Sequence, residues 1–250
     1  MRCDTGLGTE QMVHALTGNL PTRDRTVSTR FLRRLLSAGI MAACAVTVSG
    51  EARQMKLLTP ALPRPTFEGT PIDVRSPHQE PYRGDDVPPP PLLVPAGTRL
   101  LSGGRPVRCN DETVTPRDLA LVTDGNKQYS PSAYLELAPG VRWIQIDLGT
   151  NAAIHAVCIW RERPEQCVYR DTVVQVSDDP TFETGVVTLF NNDYDNSARL
   201  GRGTDKEYFE DHFGRRIPGH GVRARYVRLT SNGNTSDPYN HYTEVEIYGE

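Results

Sequence analysis

The sequence predicts an all-β domain, a sandwich or barrel of short antiparallel strands, over residues 99–250. Three observations carry this. Apolar and polar residues alternate at period two in several short runs, the repeat of a strand with one buried face. Turn clusters separate the runs: Leu148-Gly149, Asp178-Asp179, Asn232-Gly233 and Tyr248-Gly249. Glycine (21) and proline (20) are both abundant and no long 3.6-residue period occurs, which favours strands and turns over long helices. A hydrophobic content of 37% supplies one good core and is low for two.

Ahead of that domain the texture changes. Residues 1–29 are polar, mixed in charge and without period; they read as an extension with no stable fold or as a start assigned too early. Within 30–52, Arg30, Arg33 and Arg34 precede the apolar run LLSAGIMAACAVTV and then small residues, the order of a secretory signal. The run is shorter than the roughly 20 residues of a comfortable membrane span. Met41-Ala42-Ala43-Cys44 offers a second reading, a lipoprotein signal with Cys44 lipidated, and a buried core helix is a third. The expected location is outside the cytoplasm: secreted, periplasmic or at the cell surface, touching a membrane only through such an anchor.

Residues 53–98 form a proline-rich linker ending in Pro88-Pro89-Pro90-Pro91. Proline removes a backbone donor and fixes φ, so the segment tends toward an extended polyproline conformation. It is either a spacer or a strap across the domain, with Phe67, Ile72 and Leu92 as apolar docking points. Arg83-Gly84-Asp85 matches an integrin-type tripeptide, a match short enough to arise by chance.

The strands follow in order. Run 141–148 (VRWIQIDL) sets Trp143, Gln145 and Asp147 against Ile144, Ile146 and Leu148. Run 154–160 (IHAVCIW) is richly apolar and β-branched, the mark of a central strand. Run 172–177 (TVVQVS) alternates and stops at Asp178-Asp179-Pro180, and 186–190 is a short strand. Residues 224–231 (ARYVRLTS) and 243–248 (TEVEIY) alternate again, while His212 and His220 fall in an expected long loop.

Five blocks then resemble one family in its own order. Leu101-Ser102-Gly103-Gly104-Arg105-Pro106-Val107 looks like its opening strand, and Leu121-Val122-Thr123-Asp124-Gly125-Asn126 its acidic-glycine loop. Trp143-Ile144-Gln145-Ile146-Asp147-Leu148-Gly149 is close to its signature; RARYVRL (223–229) and Glu244-Val245-Glu246-Ile247-Tyr248-Gly249 match later strands. The family is the discoidin, or coagulation factor 5/8 type C, domain, and the similarity is closest to secreted discoidin-domain proteins of environmental bacteria. It covers 99–250 and implies a jelly-roll-like, galactose-binding-like β-sandwich. It further implies a non-catalytic module binding through loops, usually to carbohydrate or a cell-surface glycan. The alternatives are a protein-interaction or structural surface module, or an accessory domain of a separate glycoside hydrolase.

Three constellations are candidates for chemistry. Hard cations such as Ca2+ take several oxygen ligands. Asp124 and Asn126 flank a glycine, Ser130 adds a hydroxyl, and by resemblance Glu244 closes a structural calcium site; an ordinary turn with a surface glutamate is the bland reading. Asn126 stands where the family has Asp, which removes one negative charge and weakens such a site. Asn191 to Asp195 (NNDYD) could bind sugar hydroxyls or a cation through Asp193, Tyr194 and Asp195, or be a solvated loop. Its one-three-five spacing with Ser197 lacks the glycine and glutamate of an EF-hand. A sugar platform needs aromatic faces and planar polar groups on loops, for which the candidates are Tyr129, Tyr134, Trp160, Arg161, Tyr194, Tyr239, Asn240 and His241. Trp143, in the signature strand, is expected to be a packing residue.

Cys158 and Cys167 are spaced so that they could pair in an oxidising compartment, or remain two buried thiols, with Cys109 left over. A net charge of −3 argues against nucleic acid as a partner. No enzyme is expected: the six histidines are scattered without zinc-like spacing, and no G-x-S-x-G or phosphate-binding loop occurs.

Overall fold

The computed structural model describes residues 53–65, 76–84, 86–161 and 167–250. The 1–29 extension, the apolar signal-like run with Cys44, and Phe67, Ile72 and Asp85 lie outside the described residues. In chain order the elements are β1 (Met55–Leu57), β2 (Leu93–Pro95), β3 (Arg99–Leu100), β4 (Val107–Cys109), α1 (Pro116–Ala120) and β5 (Leu135–Leu137). Then come β6 (Arg142–Trp160), β7 (Val173–Ser177), β8 (Val187–Asn191), β9 (Arg215–Ser231), β10 (Asn240–Tyr242) and β11 (Glu244–Gly249).

The fold is an all-β, antiparallel, jelly-roll-like sandwich, and two long strands build it. β6 and β9 pair along most of their length, but the register breaks between Asp147 and Ala152 and again between Ile154 and Ala156. The first half of β6 pairs with β4 and with the C-terminal half of β9, which continues to β7 and β8. The second half pairs with β11, which carries β3, and with the N-terminal half of β9. Bulges let one strand turn a corner and serve both layers. The sequence signals at Leu148-Gly149 therefore mark a bend, not a turn between two strands, with Gly149 at φ +81°. The expected long loop before 224 is also shorter, because β9 begins at Arg215 and His220 lies within it.

The alternating runs fill the main core from both layers: Ile144, Ile146 and Leu148 with Val227 and Leu229, Val174 and Val176, and Val245 and Ile247. The second half of β6 does not alternate because both its faces are covered. Val157 and Ile159 face this core, while Ala156, Cys158 and Trp160 face a second cluster with Leu58 and Val94. Those two come from β1–β2 and its flank, so the described part of the proline-rich segment lies on the outside of the sandwich. The clasp continues where Gln79 bridges Glu207, Lys206 donates to the Pro77 carbonyl (2.8 Å) and Arg215 pairs with Glu80 (2.8 Å).

Two local features depart from the strand pattern. The stretch resembling an opening strand is split: β3 precedes it, β4 follows it, and 101–106 turns between them, with Gly104 N–H donating to the Thr123 carbonyl. A one-turn helix, α1, is nucleated by Thr115 and Asp118, which cap each other's backbone N–H, with proline at the first helical position.

Candidate functional site

β5 and β10 form a small separate sheet, with His241 opposite Glu136 and Tyr242 opposite Leu135. Leu135, Leu137 and Tyr242 enter the core, leaving Glu136 and His241 on the other face. His241 is buried there, with Nε2 3.2 Å from Glu136 Oε2 and Nδ1 2.8 Å from the Tyr169 hydroxyl. Tyrosines surround it. Tyr134 meets the imidazole edge-on at 5.5 Å, Tyr129 stacks on Tyr134 at 5.7 Å, and Tyr239 lies 6.5 Å away. Tyr129 and Tyr134 are half-buried, and Tyr239 and Glu136 are exposed. Four of the expected platform residues thus converge at one end of the sandwich. Asn240 braces it: its Nδ2 donates to the Ala138 and Gly140 carbonyls (3.1 Å each) and its Oδ1 accepts Gly233 N–H. Aromatic faces beside an exposed carboxylate can hold the apolar face and the hydroxyls of a pyranose ring.

Trp160 and Arg161 are not platform residues: both are 0% exposed. Trp160 packs in the second cluster, donates Nε1–H to the His212 carbonyl (3.1 Å), and has the Lys127 ammonium 4.5 Å from its ring. Arg161 lies between the rings of Tyr169 and Tyr242, 4.5 Å from each. It donates to Thr172 Oγ1 and Tyr242 Oη (3.0 Å each) and sits 3.6 Å from Glu210. The sequence offered no sign of this, because a buried arginine is rare unless paired and Glu210 lies on a distant segment.

The acidic-glycine loop does approach the last strand. Gly125, at φ +85°, donates its N–H to Glu244 Oε2 at 3.0 Å. Burial pushes the Glu244 carboxyl up to about 8; the Gly125 N–H opposes this and the nearby Glu246 and Asp124 charges add to it. Asp124 and Asn126 turn their side-chain oxygens onto the loop's own N–H groups, at 2.7 and 3.1 Å. Lys127 enters the same region and pairs with Glu246 at 2.6 Å. Ser130 makes no side-chain hydrogen bond to these groups among the described residues.

The NNDYD stretch is not a solvated loop. Asn191, Asn192 and Asp193 are buried, with the Asp193 carboxylate accepting the N–H groups of Ser197 and Ala198 (2.9 and 3.0 Å) and Asn192 accepting that of Thr172. Asp193, Asp195 and Asp171, the last unmarked in sequence, hold carboxylate oxygens within 4.8 Å of one another, close enough to share one metal ion. The Ser197 hydroxyl donates to Asp171. Tyr194 is exposed, and His78 of the proline-rich segment stacks on its ring at 3.9 Å.

Cys158 and Cys167 are not joined by a disulfide. Cys158 points into the second cluster, and burial pushes its thiol up to about 12. Trp143 packs outside the core. It shares the outer face of its strand with Gln145 and Asp147, half-buried beneath the Arg228 guanidinium 4.4 Å from its ring.

No protein-family model matches the chain, and no curated protein does. Among solved structures it is similar to a chitosan-binding module of a chitosanase/glucanase from Paenibacillus sp. IK-5, at 20% identity over 60% of this chain and 99% of that one, with a TM-score of 0.40. It is similar to the CBM32 of AlyQ in complex with 4,5-unsaturated mannuronic acid, at 19% identity over 56% of this chain and 92% of that one (TM-score 0.39). A family 89 glycoside hydrolase from Clostridium perfringens aligns at 18% identity over 60% of this chain and 14% of its own (TM-score 0.43).

Proposed function

We propose that the chain is a non-catalytic, discoidin-type carbohydrate-binding module that works outside the cytoplasm. The observation that carries the reading is the convergence of Tyr129, Tyr134, Tyr239, His241 and Glu136 at one end of the sandwich. The tyrosines offer ring faces to a sugar and the exposed Glu136 carboxylate accepts from its hydroxyls, while buried His241, held by Glu136 and Tyr169, keeps the group in place. The rings are packed against one another, so little side-chain entropy is lost on binding. Asp124, Asn126 and Glu244 are the residues that would hold a structural calcium ion. The chemistry fits: Glu244 is a buried carboxylate beside Asp124, and a divalent cation would relieve their repulsion.

The test is binding of the purified chain to a panel of immobilised polysaccharides in calcium. Wild type binds at least one of them, and Tyr239→Ala and Tyr129→Ala each lose about tenfold or more with the melting temperature unchanged. Absence of binding across the panel, or undiminished binding by both variants, rejects the loop-end site. In the same preparation, calcium raises the melting temperature relative to chelator, and Glu244→Gln removes that increment; an equal increment in the variant rejects calcium there. Processing within 30–52 is read by mass spectrometry of the exported protein, as a cleaved N-terminus or a lipidated Cys44.

A further inference from the structure

The outer face of the first-half layer carries a second feature. Cross-strand pairing aligns Arg108, Gln145 and Arg228 in one row over β4, β6 and β9. Trp143 and Tyr226 flank that row on the same face, since each lies two residues from a member of it. Arg108 is exposed and its guanidinium is 5.9 Å from the Trp143 ring; Arg228 is half-buried and 4.4 Å from it.

What distinguishes the row is its charge. Arg228 donates only to neutral oxygens, the Gln145 side chain at 3.1 and 2.7 Å and the Thr181 carbonyl at 3.4 Å, and Arg108 donates to the Pro180 carbonyl. Neither forms a salt bridge among the described residues. The Asp147 carboxylate is taken by Arg225 at 2.7 and 2.8 Å. Asp179, the acid that faces Arg228, is committed to its own turn through the N–H groups of Thr181, Glu183 and Thr184. Burial, then the Arg108 charge, push the Arg228 guanidinium down to about 10. A cavity of about 260 Å³ opens beside the row, lined by Arg108, Gln145, Pro180, Tyr226 and the Arg225-paired Asp147, with Arg228 next to Gln145 just outside that lining. That lies just under the roughly 300–1,000 Å³ of drug-sized ligand pockets, room for a sugar residue and not for an enclosed chain.

We propose that this face binds an acidic saccharide, whose carboxylate or sulfate is received by Arg108 and Arg228 while its ring lies against Tyr226. Guanidinium forks match planar oxyanions, and with Asp147 paired to Arg225 the cations Arg108, Arg225 and Arg228 outnumber the acids Asp147 and Asp179 here, which favours an anionic sugar over a neutral one. The site shares no residue with the loop end. It extends the carbohydrate-binding reading to an acidic ligand class and rests on that reading only for the word saccharide.

The full chain is tested on immobilised hyaluronate, dextran sulfate, uncharged dextran and poly-L-glutamate at 50 and 200 mM salt. Wild type binds one or both acidic glycans, more weakly at the higher salt, with uncharged dextran and poly-L-glutamate at least tenfold weaker. Arg108→Gln, at an exposed position that leaves the core alone, reduces that binding about tenfold, and Arg108→Gln/Arg228→Gln abolishes it. Tyr239→Ala leaves it unchanged, which separates failure of this face from failure of the loop end. Wild-type binding to neither acidic glycan, undiminished binding by Arg108→Gln, or equal binding to poly-L-glutamate overturns the proposal.

Discussion

Glu210 shows how a single residue couples this fold to pH. Its carboxyl is buried beside Arg161, Tyr208 and Arg215, and burial pushes it up to about 7 against the pull of Arg161. A carboxyl raised in the folded state favours folding while protonated. Its contribution is complete below the ordinary value of 4.5 and is lost as the pH rises through about 7. Thermal melts of wild type and Glu210→Gln across pH 5–8 measure it. Wild type loses melting temperature relative to the variant over that range, by on the order of 5 °C, and parallel curves would show that Glu210 does not titrate. The same surroundings explain why Arg161 is structural. Its charge is fixed between two tyrosine rings and one acid, where no sugar reaches it.

At the scale of elements, the closing strand depends on a glycine for space. β11 changes register against β6 between Tyr248 and Gly249. A Cβ on Gly249 would lie 2.2 Å from the Ala153 carbonyl oxygen and 2.8 Å from Leu101. Gly249→Ala is therefore expected to cost about 1–3 kcal/mol, because backbone cannot give way as a flexible side chain can. Denaturant melts report it as a lower midpoint with an unchanged slope; an unshifted midpoint would mean that the bulge relaxes freely. β5 and β10 show the reverse dependence, of the proposed site on an element. Each has three residues, yet their pairing sets His241 against Glu136 and gathers the tyrosines.

For the whole molecule, the proline-rich segment is part of the fold where it is described. Leu58 and Val94 cover Trp160, Ala156 and Cys158 on the outside of the sandwich. Burying a leucine or valine side chain contributes about 1.5–3 kcal/mol, before the entropy of ordering the strap is subtracted. A fragment of residues 99–250 is expected to melt lower than one of 53–250 and to bind a hydrophobic dye through the uncovered Trp160 face. Equal melting temperatures would show that the strap adds no stability.

How much of this was legible in sequence follows from the range of each signal. Period-two alternation is local, so the strands at 172–177, 224–231 and 243–248 and their core-facing residues could be read directly, as could the all-β class. The corner in β6 could not: a glycine after an apolar run marks a turn and a bulge alike, and only the partner strands distinguish them. The tyrosines and His241 were legible as candidates by type and loop position. Their convergence, and the exclusion of Trp160 and Arg161 by burial, depend on chain segments far apart in sequence. The richly apolar run 154–160 announced a central strand without saying what covered its outer side. By itself, then, the sequence determined the strands, because side-chain alternation is a property of neighbouring residues. Only the tertiary structure decided which polar and aromatic groups meet, because burial and charge pairing are set by residues that the chain brings together from afar.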